Sequence, residues 1–144
     1  MTMTFRGVFD FLSNFYPAMV EVDGIAYQNA EAAFQAQKCL DVEKRREFSA
    51  LTGTKAKRKG RQVPLRPDWD GERVVAMRKV VHAKFTQNEN LSARLLATGD
   101  MPLVEGNSWG DTFWGVDVRT GKGENQLGKI LMEVRGELRR GQNG

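Results

Sequence analysis

The chain has 144 residues, of which 40% are hydrophobic and 28% are charged. This length and composition are typical of one globular domain that buries its own core, so we predict a single domain over residues 1–144. The formal net charge is +4, and much of the excess lies in a basic segment, residues 55–61. Such a segment is typical of a solvated helix face, but it also suits contact with phosphate.

The cysteine and histidine counts exclude several kinds of site. A single cysteine, Cys39, excludes an internal disulfide, and with His82 as the only histidine a structural zinc site of four such ligands is excluded too. We therefore expect no metal and no cofactor, and chemistry carried by carboxylates, lysines and amides. No apolar run approaches the roughly 20 residues of a membrane span, and no signal-peptide pattern is present. We expect a cytoplasmic protein without a membrane partner, and no oligomeric state is predicted.

The first predicted elements are an edge strand at residues 4–9 and a tight loop at residues 11–17. The loop places three aromatic side chains around Asn14, whose amide is available to bind backbone or ligand. Residues 19–26 alternate apolar and polar side chains across an Asp-Gly pair, which predicts a β-hairpin.

A helix is predicted next, over residues 29–38, and it is small or apolar on almost every side. Glu31, Gln35 and Lys38 are exceptions that lie at i, i+4 and i+7, and we call them the polar stripe. Because a surface helix has a broad polar face, this pattern predicts a buried helix whose stripe faces an enclosed site or polar partners inside the protein. From periodicity alone, a structural ion pair and a functional site explain the stripe equally well.

Further helices are predicted from apolar periodicity and stop signals. They cover residues 41–51, 54–60, 70–85 and 90–98, and a last helix carries an apolar stripe over residues 127–138. Two prolines keep residues 63–69 irregular, so Trp69 is expected on a loop. The fold class that follows is α+β, predominantly helical, with a small antiparallel sheet.

Two glycine-rich loops precede the last helix. Residues 106–115 hold two tryptophans, three glycines and Asp111, while residues 121–128 hold a Gly-Lys-Gly-x-Asn pattern that ends at Asn125. The first loop favours either stacking against a heterocyclic base or a core tryptophan in a turn. The second favours either backbone amides that bind an anion at a helix N-terminus or a simple N-cap.

Together these clusters favour a pocket for a base attached to a sugar phosphate. Carboxylates that act without histidine or metal suit cleavage of an N-glycosidic bond, because its transition state resembles an oxocarbenium ion. A carboxylate stabilises that cation and deprotonates the attacking water.

The motifs resemble the NADAR family over nearly the whole chain, from residue 12 to about residue 138. Their order and spacing match jointly: LSNFYPA at 12–18, FQAQK at 34–38, PLRPDW at 64–69, MRKVVHAKFTQN at 77–88, LLATG at 95–99, DTFWG at 111–115 and GKGENQLG at 121–128. The resemblance implies a mostly helical single domain that hydrolyses an N-glycosidic bond on a ribose.

The resemblance also implies site residues. The family's key glutamate falls on Glu31, and the aspartate and tryptophan of its D-x-x-W-G element fall on Asp111 and Trp114. Glu31 and Asp111 are therefore expected to be catalytic. The residues expected to bind substrate are Asn14, Gln35, Lys38, Trp69, Trp114, Gly121 and Asn125.

The substrate class is left with alternatives. Members that resemble riboflavin-biosynthesis-intermediate N-glycosidases act on phosphoribosylamino-pyrimidines, which implies a small ribose-phosphate substrate. Other members resemble glycohydrolases that remove ADP-ribose from guanine in DNA, which implies ADP-ribosylated DNA as the partner. An alternative of another class is a non-catalytic module that binds ADP-ribose or a related nucleotide.

Two features depart from the family pattern. Relatives carry Ser-Glu-His-Tyr-Phe-Gln where this chain has Ala-Glu-Ala-Ala-Phe-Gln at residues 30–35, so Glu31 is retained among different neighbours. A second Trp-Gly pair at Trp109 makes the register of the D-x-x-W-G element ambiguous. We favour Trp114, because Asp111 stands three residues before it.

Overall fold

The structure is a computed structural model that describes residues 4–143. Residues 14–89 form one compact unit, and the described residues before and after them form another. Helices dominate both units, and one two-stranded antiparallel sheet is present. The predicted α+β fold class is therefore confirmed.

In the unit of residues 14–89, a hairpin comes first. It consists of β1 (Pro17–Val22) and β2 (Ile25–Asn29), with Val22 opposite Ile25. Asp23 and Gly24 have φ angles of 50° and 82°, the left-handed values that a type I′ turn requires. The predicted Asp-Gly hairpin is confirmed. Buried and exposed residues alternate along β2, so one face of the hairpin joins the core.

The predicted buried helix is α1 (Ala30–Ala36), and all seven of its residues are buried. Asn29 caps it, because its side-chain oxygen accepts the N–H of Ala32 at 2.7 Å. The same side chain donates to the carbonyl oxygen of Leu51 at 2.9 Å. The helix is shorter than predicted and ends two residues before Lys38.

Three more helices complete this unit: α2 (Val42–Arg46), α3 (Gly53–Gly60) and α4 (Trp69–Gln87). The predicted basic helix is α3, which packs against α1, while α4 packs against both α1 and β1. In α4, apolar side chains at helical spacing face the core: Met77, Val81 and Phe85 are buried and Val74 is half-buried.

The other unit begins with a 3-10 helix, Gly7–Leu12, so the strand predicted at residues 4–9 is wrong. Within that segment Gly7 has a φ of 58°, a left-handed value outside the β region, so the chain is not extended there. The guanidinium of Arg94 lies 4.2 Å from the centroid of the Phe11 ring and also pairs with Asp10 at 3.6 Å.

This unit also contains α5 (Glu89–Ala97) from its second residue onward, β3 (Gly106–Asn107), β4 (Val116–Asp117) and α6 (Gln126–Asn143). The two short strands pair in parallel, which the sequence did not predict. The predicted apolar stripe of α6 is buried at Leu127, Ile130, Leu131 and Val134. Within residues 4–143, the helices are all too short or too polar to cross a membrane.

Candidate active site

Glu31 lies in the first turn of α1 and is 8% exposed. Its backbone N–H donates to the carbonyl oxygen of Asn14 at 2.9 Å. One turn later, Nε2 of the buried Gln35 donates to Oε2 of Glu31 at 2.7 Å. The predicted alignment of these two side chains is thus a direct hydrogen bond. It orients the carboxylate group of Glu31 within the core.

Lys38 lies in the turn that follows α1. Its Nζ donates to the carbonyl oxygen of Gly60, the last residue of α3, at 3.2 Å. A cation is stabilised at this negative end of a helix. Burial lowers the pKa of Lys38, and the negative charge of Glu31 opposes that shift. The three side chains of the polar stripe are therefore coupled by one hydrogen bond and one charge interaction.

Asn14 contacts both the start of α1 and the helix α4. The residue is 7% exposed, and its Nδ2 lies 3.3 Å from Sδ of Met77 on α4. Its carbonyl oxygen accepts the Glu31 N–H described above. These two contacts connect α1 to α4 and so position Glu31, while the substrate contact of Asn14 stays a prediction.

Trp69 lies in the first turn of α4, so its expected place on a loop is wrong. The chain already turns at residues 66–69, where the N–H of Trp69 donates to the carbonyl oxygen of Arg66 at 3.2 Å. Trp69 is 7% exposed, and its ring centroid lies 5.4 Å from that of Phe34. The N–H of Arg66 donates to the carbonyl oxygen of Lys38 at 2.9 Å. These contacts bring an aromatic pair to the helix that carries the polar stripe.

Asp111 organises the loop that carries Trp114. Its Oδ1 accepts the backbone N–H groups of Phe113 and Trp114 at 3.1 and 2.9 Å. Its own backbone is held by Asn107, which accepts the Asp111 N–H at 3.0 Å and donates to its carbonyl oxygen at 2.8 Å. Trp114 stands edge-on to Phe113, whereas Trp109 is 59% exposed. The Asp111–Trp114 spacing favoured from sequence thus coincides with a hydrogen bond.

The Gly-Lys-Gly-x-Asn loop uses its backbone amides within the fold. The N–H of Gly121 donates to the backbone carbonyl oxygen of Asp117. The N–H groups of residues 124, 125, 126 and 127 donate to the carbonyl oxygens of residues 112, 115, 113 and 114, in that order. The Asn125 side chain donates to the Leu103 carbonyl oxygen at 3.0 Å and accepts the Glu105 N–H at 2.9 Å. Gly121 and Asn125 stay predicted substrate-binding residues, but these amides already have protein partners.

The predicted site residues fall into two groups. Asn14, Glu31, Gln35, Lys38 and Trp69 belong to the unit of residues 14–89. Asp111, Trp114, Gly121 and Asn125 belong to the other unit. Each group is assembled by the contacts within its own unit. Among residues 4–143, no group of three His, Cys, Asp and Glu side chains is arranged to hold a metal ion.

Two residues of this region were missed from sequence. Lys84 is 1% exposed in the apolar stripe of α4, with Nζ 5.7 Å from the ring centroid of Tyr16 and 5.0 Å from that of Phe85. A lysine inside an apolar stripe is a usable signal, because lysine is rarely fully buried. Gly60 gives no such signal, since glycine at a helix end is ordinary.

Comparison with known proteins finds relatives along nearly the whole chain. The family model for the NADAR domain matches residues 4–139. N-glycosidase YbiA of Escherichia coli K12 is 43% identical over 129 residues, which are 88% of this chain and 79% of that protein. An N-glycosidase of Nostoc punctiforme is 37% identical over 133 residues, with 88% and 84% covered.

A riboflavin biosynthesis protein of Vibrio vulnificus is 44% identical over 131 residues. The match covers 89% of this chain but only 35% of the Vibrio protein. Among solved structures, the NMR structure of Escherichia coli YbiA superposes with a TM-score of 0.84 at 37% identity. That match covers 99% of this chain and 89% of the other.

Proposed function

We propose that this chain, which belongs to the NADAR domain family, is an N-glycosidase that hydrolyses the bond between a ribose phosphate and a heterocyclic base or amine. Two relatives named N-glycosidases, matched over most of both chains, support this activity. The structural observation that carries the proposal is the buried carboxylate of Glu31, held by Gln35 at 2.7 Å.

In the proposed mechanism, Glu31 acts on the ribose and on water. As the bond from C1 of the ribose to nitrogen lengthens, positive charge develops on the sugar, and a nearby carboxylate stabilises it. Water then adds to C1, one of its protons passes to Glu31, and the departing nitrogen gains a proton in the overall reaction. The hydrogen bond from Nε2 of Gln35 keeps the carboxylate oriented for both tasks.

The other predicted residues are assigned to binding. Lys38 supplies positive charge beside Glu31 for the phosphate-bearing part of the substrate. Trp69, with Phe34, supplies aromatic surface next to the stripe for the heterocycle. The catalytic role of Asp111 and the stacking role of Trp114 stay predictions from the resemblance, and the described contacts of Asp111 hold the loop that carries Trp114.

The substrate that we favour is a phosphoribosylamino-pyrimidine intermediate of riboflavin biosynthesis. The support is the Vibrio relative named a riboflavin biosynthesis protein, together with Lys38, whose positive charge beside Glu31 suits a phosphate group. The predicted cytoplasmic location fits such a substrate.

ADP-ribosylated guanine in DNA is the second candidate, and α3 favours it. This helix carries Lys55 and Arg58 on its exposed side, and its C-cap is Arg61. A basic helix at the surface suits contact with a phosphate backbone. One of its cations, Lys59, is already paired with Glu47 at 2.8 Å.

The test is turnover by the wild-type protein on both substrates in parallel. Release of ribose phosphate from the pyrimidine intermediate, without release of ADP-ribose from modified DNA, is the expected result. The reverse pattern would select the DNA substrate. Binding of ADP-ribose with no product from either substrate would contradict the proposed glycosidase activity and would support a non-catalytic binding module.

A further inference from the structure

Gly60 meets the polar stripe at the end of α3. An ideal Cβ built on Gly60 would overlap Oε1 of Gln35, and it would lie 2.6 Å from Cδ and 3.2 Å from Cγ of the same side chain. Gln35 is 6% exposed and sits where a side chain of residue 60 would otherwise be. The backbone of Gly60 does not adopt a left-handed conformation. A larger residue therefore requires the buried Gln35 amide to move, whereas backbone strain does not oppose it.

The Gln35 amide is held between α3 and Glu31. Its Nε2 must face the carboxylate, because two oxygens would repel each other there. Its Oε1 is then directed at the Cα of Gly60, and it has no hydrogen-bond partner among the residues that the structure describes. A Cα–H group offers such an oxygen a weak contact. The amide orientation thus depends on Glu31 on one side and on a missing side chain on the other.

Gly60 also contacts the second member of the stripe. Its carbonyl oxygen accepts the hydrogen bond from Nζ of Lys38 at 3.2 Å. One residue of α3 therefore touches two of the three polar side chains, Gln35 through its Cα and Lys38 through its carbonyl group. Only the first contact requires that residue 60 be glycine.

We propose that Gly60 is a positioning residue of the active site, which acts on Glu31 through Gln35. Its hydrogen in place of a side chain lets the Gln35 amide lie against α3 with Nε2 aimed at the carboxylate. This inference rests on the proposed N-glycosidase function for its kinetic consequence, but the contact itself is independent of the substrate.

The kinetic test is a double-mutant cycle of Gly60→Ala and Gln35→Ala. Each single variant is expected to lower kcat by about tenfold to a hundredfold with little change in KM, because a displaced catalytic group costs rates of that order. In the Gln35→Ala background, Gly60→Ala is expected to cost nothing further. Gly71→Ala is the matched control, since Gly71 lies in α4 with nothing within 4 Å of its ideal Cβ. Additive effects of the two substitutions would overturn the inference.

A second readout needs no turnover. The side-chain amide signals of Gln35 in a ¹H–¹⁵N NMR spectrum are expected to shift, and to exchange faster, in Gly60→Ala but not in Gly71→Ala. Unchanged Gln35 signals in Gly60→Ala would overturn the inference even if the proposed substrates were wrong. A wild-type protein without turnover would instead count against the proposed function alone.

If Gly60→Ala fails to fold, the double variant Gly60→Ala with Gln35→Ala still tests the inference. The double variant lacks the Gln35 amide that alanine would displace, so it is expected to fold. A double variant as unfolded as Gly60→Ala would show that residue 60 acts through another contact.

Discussion

The polar stripe of α1 and the loops at residues 103–127 satisfy their polar groups in opposite ways. At Glu31, side chain binds side chain, because Gln35 donates to its carboxylate, while Lys38 of the same stripe binds the carbonyl oxygen of Gly60. Oε1 of Gln35 has no hydrogen-bond partner within residues 4–143. In the loops, side chains bind backbone, as Asp111 and Asn125 each do twice. The proposed catalytic role of Glu31 relies on the first arrangement, whereas a carboxylate that accepts loop N–H groups stabilises a turn.

The largest effect is expected at Glu31. Glu31→Gln removes the charge that stabilises the ribosyl cation and the base that accepts the water proton, so kcat should fall by about a thousandfold. Steady-state release of ribose phosphate measures it. Glu43→Gln is the control, because the Glu43 side chain is 82% exposed and pairs only with Arg46 among the ion pairs of the described chain. An equal loss of activity in Glu43→Gln would contradict a specific role for the Glu31 carboxylate.

Asn125→Ala is expected to act on stability. It removes two hydrogen bonds and places alanine at a φ of 52°, so the free energy of unfolding should fall by about 2–3 kcal/mol. Asn125→Gly removes the same bonds without the left-handed strain and should lose about 1 kcal/mol less. Urea unfolding measures both. A stable Asn125→Ala protein with weakened substrate binding would assign the side chain to the substrate instead.

Asp111→Asn sharpens the same contrast. Asparagine keeps the oxygen that accepts the N–H groups of Phe113 and Trp114, so the loop should survive, and kcat should fall by less than about tenfold. Thermal unfolding and kcat are measured on one preparation. A kcat lowered as far as in Glu31→Gln would mean that Asp111 takes part in the chemistry directly.

The smallest effect is expected at Asp23, in the hairpin turn. A hydrogen bond from Lys79, together with the charges of Lys79 and Arg45, lowers the pKa of Asp23 below its ordinary 3.8. The group therefore adds stability that is present above pH 3.8 and is lost as the pH falls through its lowered pKa. Asp23→Asn retains a residue suited to the turn. Because the Asp23–Lys79 ion pair is half-exposed, the variant's free energy of unfolding should fall by only about 0.5 kcal/mol at neutral pH.

The measurement for Asp23→Asn is urea unfolding as a function of pH. The difference in the free energy of unfolding between the variant and wild type should shrink in acid. At neutral pH the kcat of the variant should equal that of wild type. A stability difference independent of pH would show that the substitution acts through the turn and not through the ion pairs.

Local patterns made much of the fold predictable. The alanine-rich helix was predicted to be buried because its residues are apolar on nearly every side, and α1 confirms this. The Asp-Gly hairpin was predictable because turn chemistry is local. The family resemblance, also based on contiguous motifs, is confirmed by the NADAR domain match.

Features that depend on distant segments were not predictable. The contact of Gly60 with Gln35 joins residues from two helices, so neither sequence segment indicates it. Two other features also form between separate segments. They are the parallel pairing of Gly106 with Val116 and the hydrogen bonds donated by the backbone N–H groups of the Gly-Lys-Gly-x-Asn loop. The loop pattern predicted available N–H groups, but it carries no information about the carbonyl oxygens that bind most of them.

The most direct test compares Glu31→Gln and Asp111→Asn in single turnover at saturating phosphoribosylamino-pyrimidine. Both variants exchange a carboxylate for an amide, and saturation removes differences in binding. The account predicts that Glu31→Gln cleaves at least about a hundredfold more slowly than Asp111→Asn. Equal rates, or a slower Asp111→Asn, would contradict the assignment of the chemistry to the polar stripe of α1.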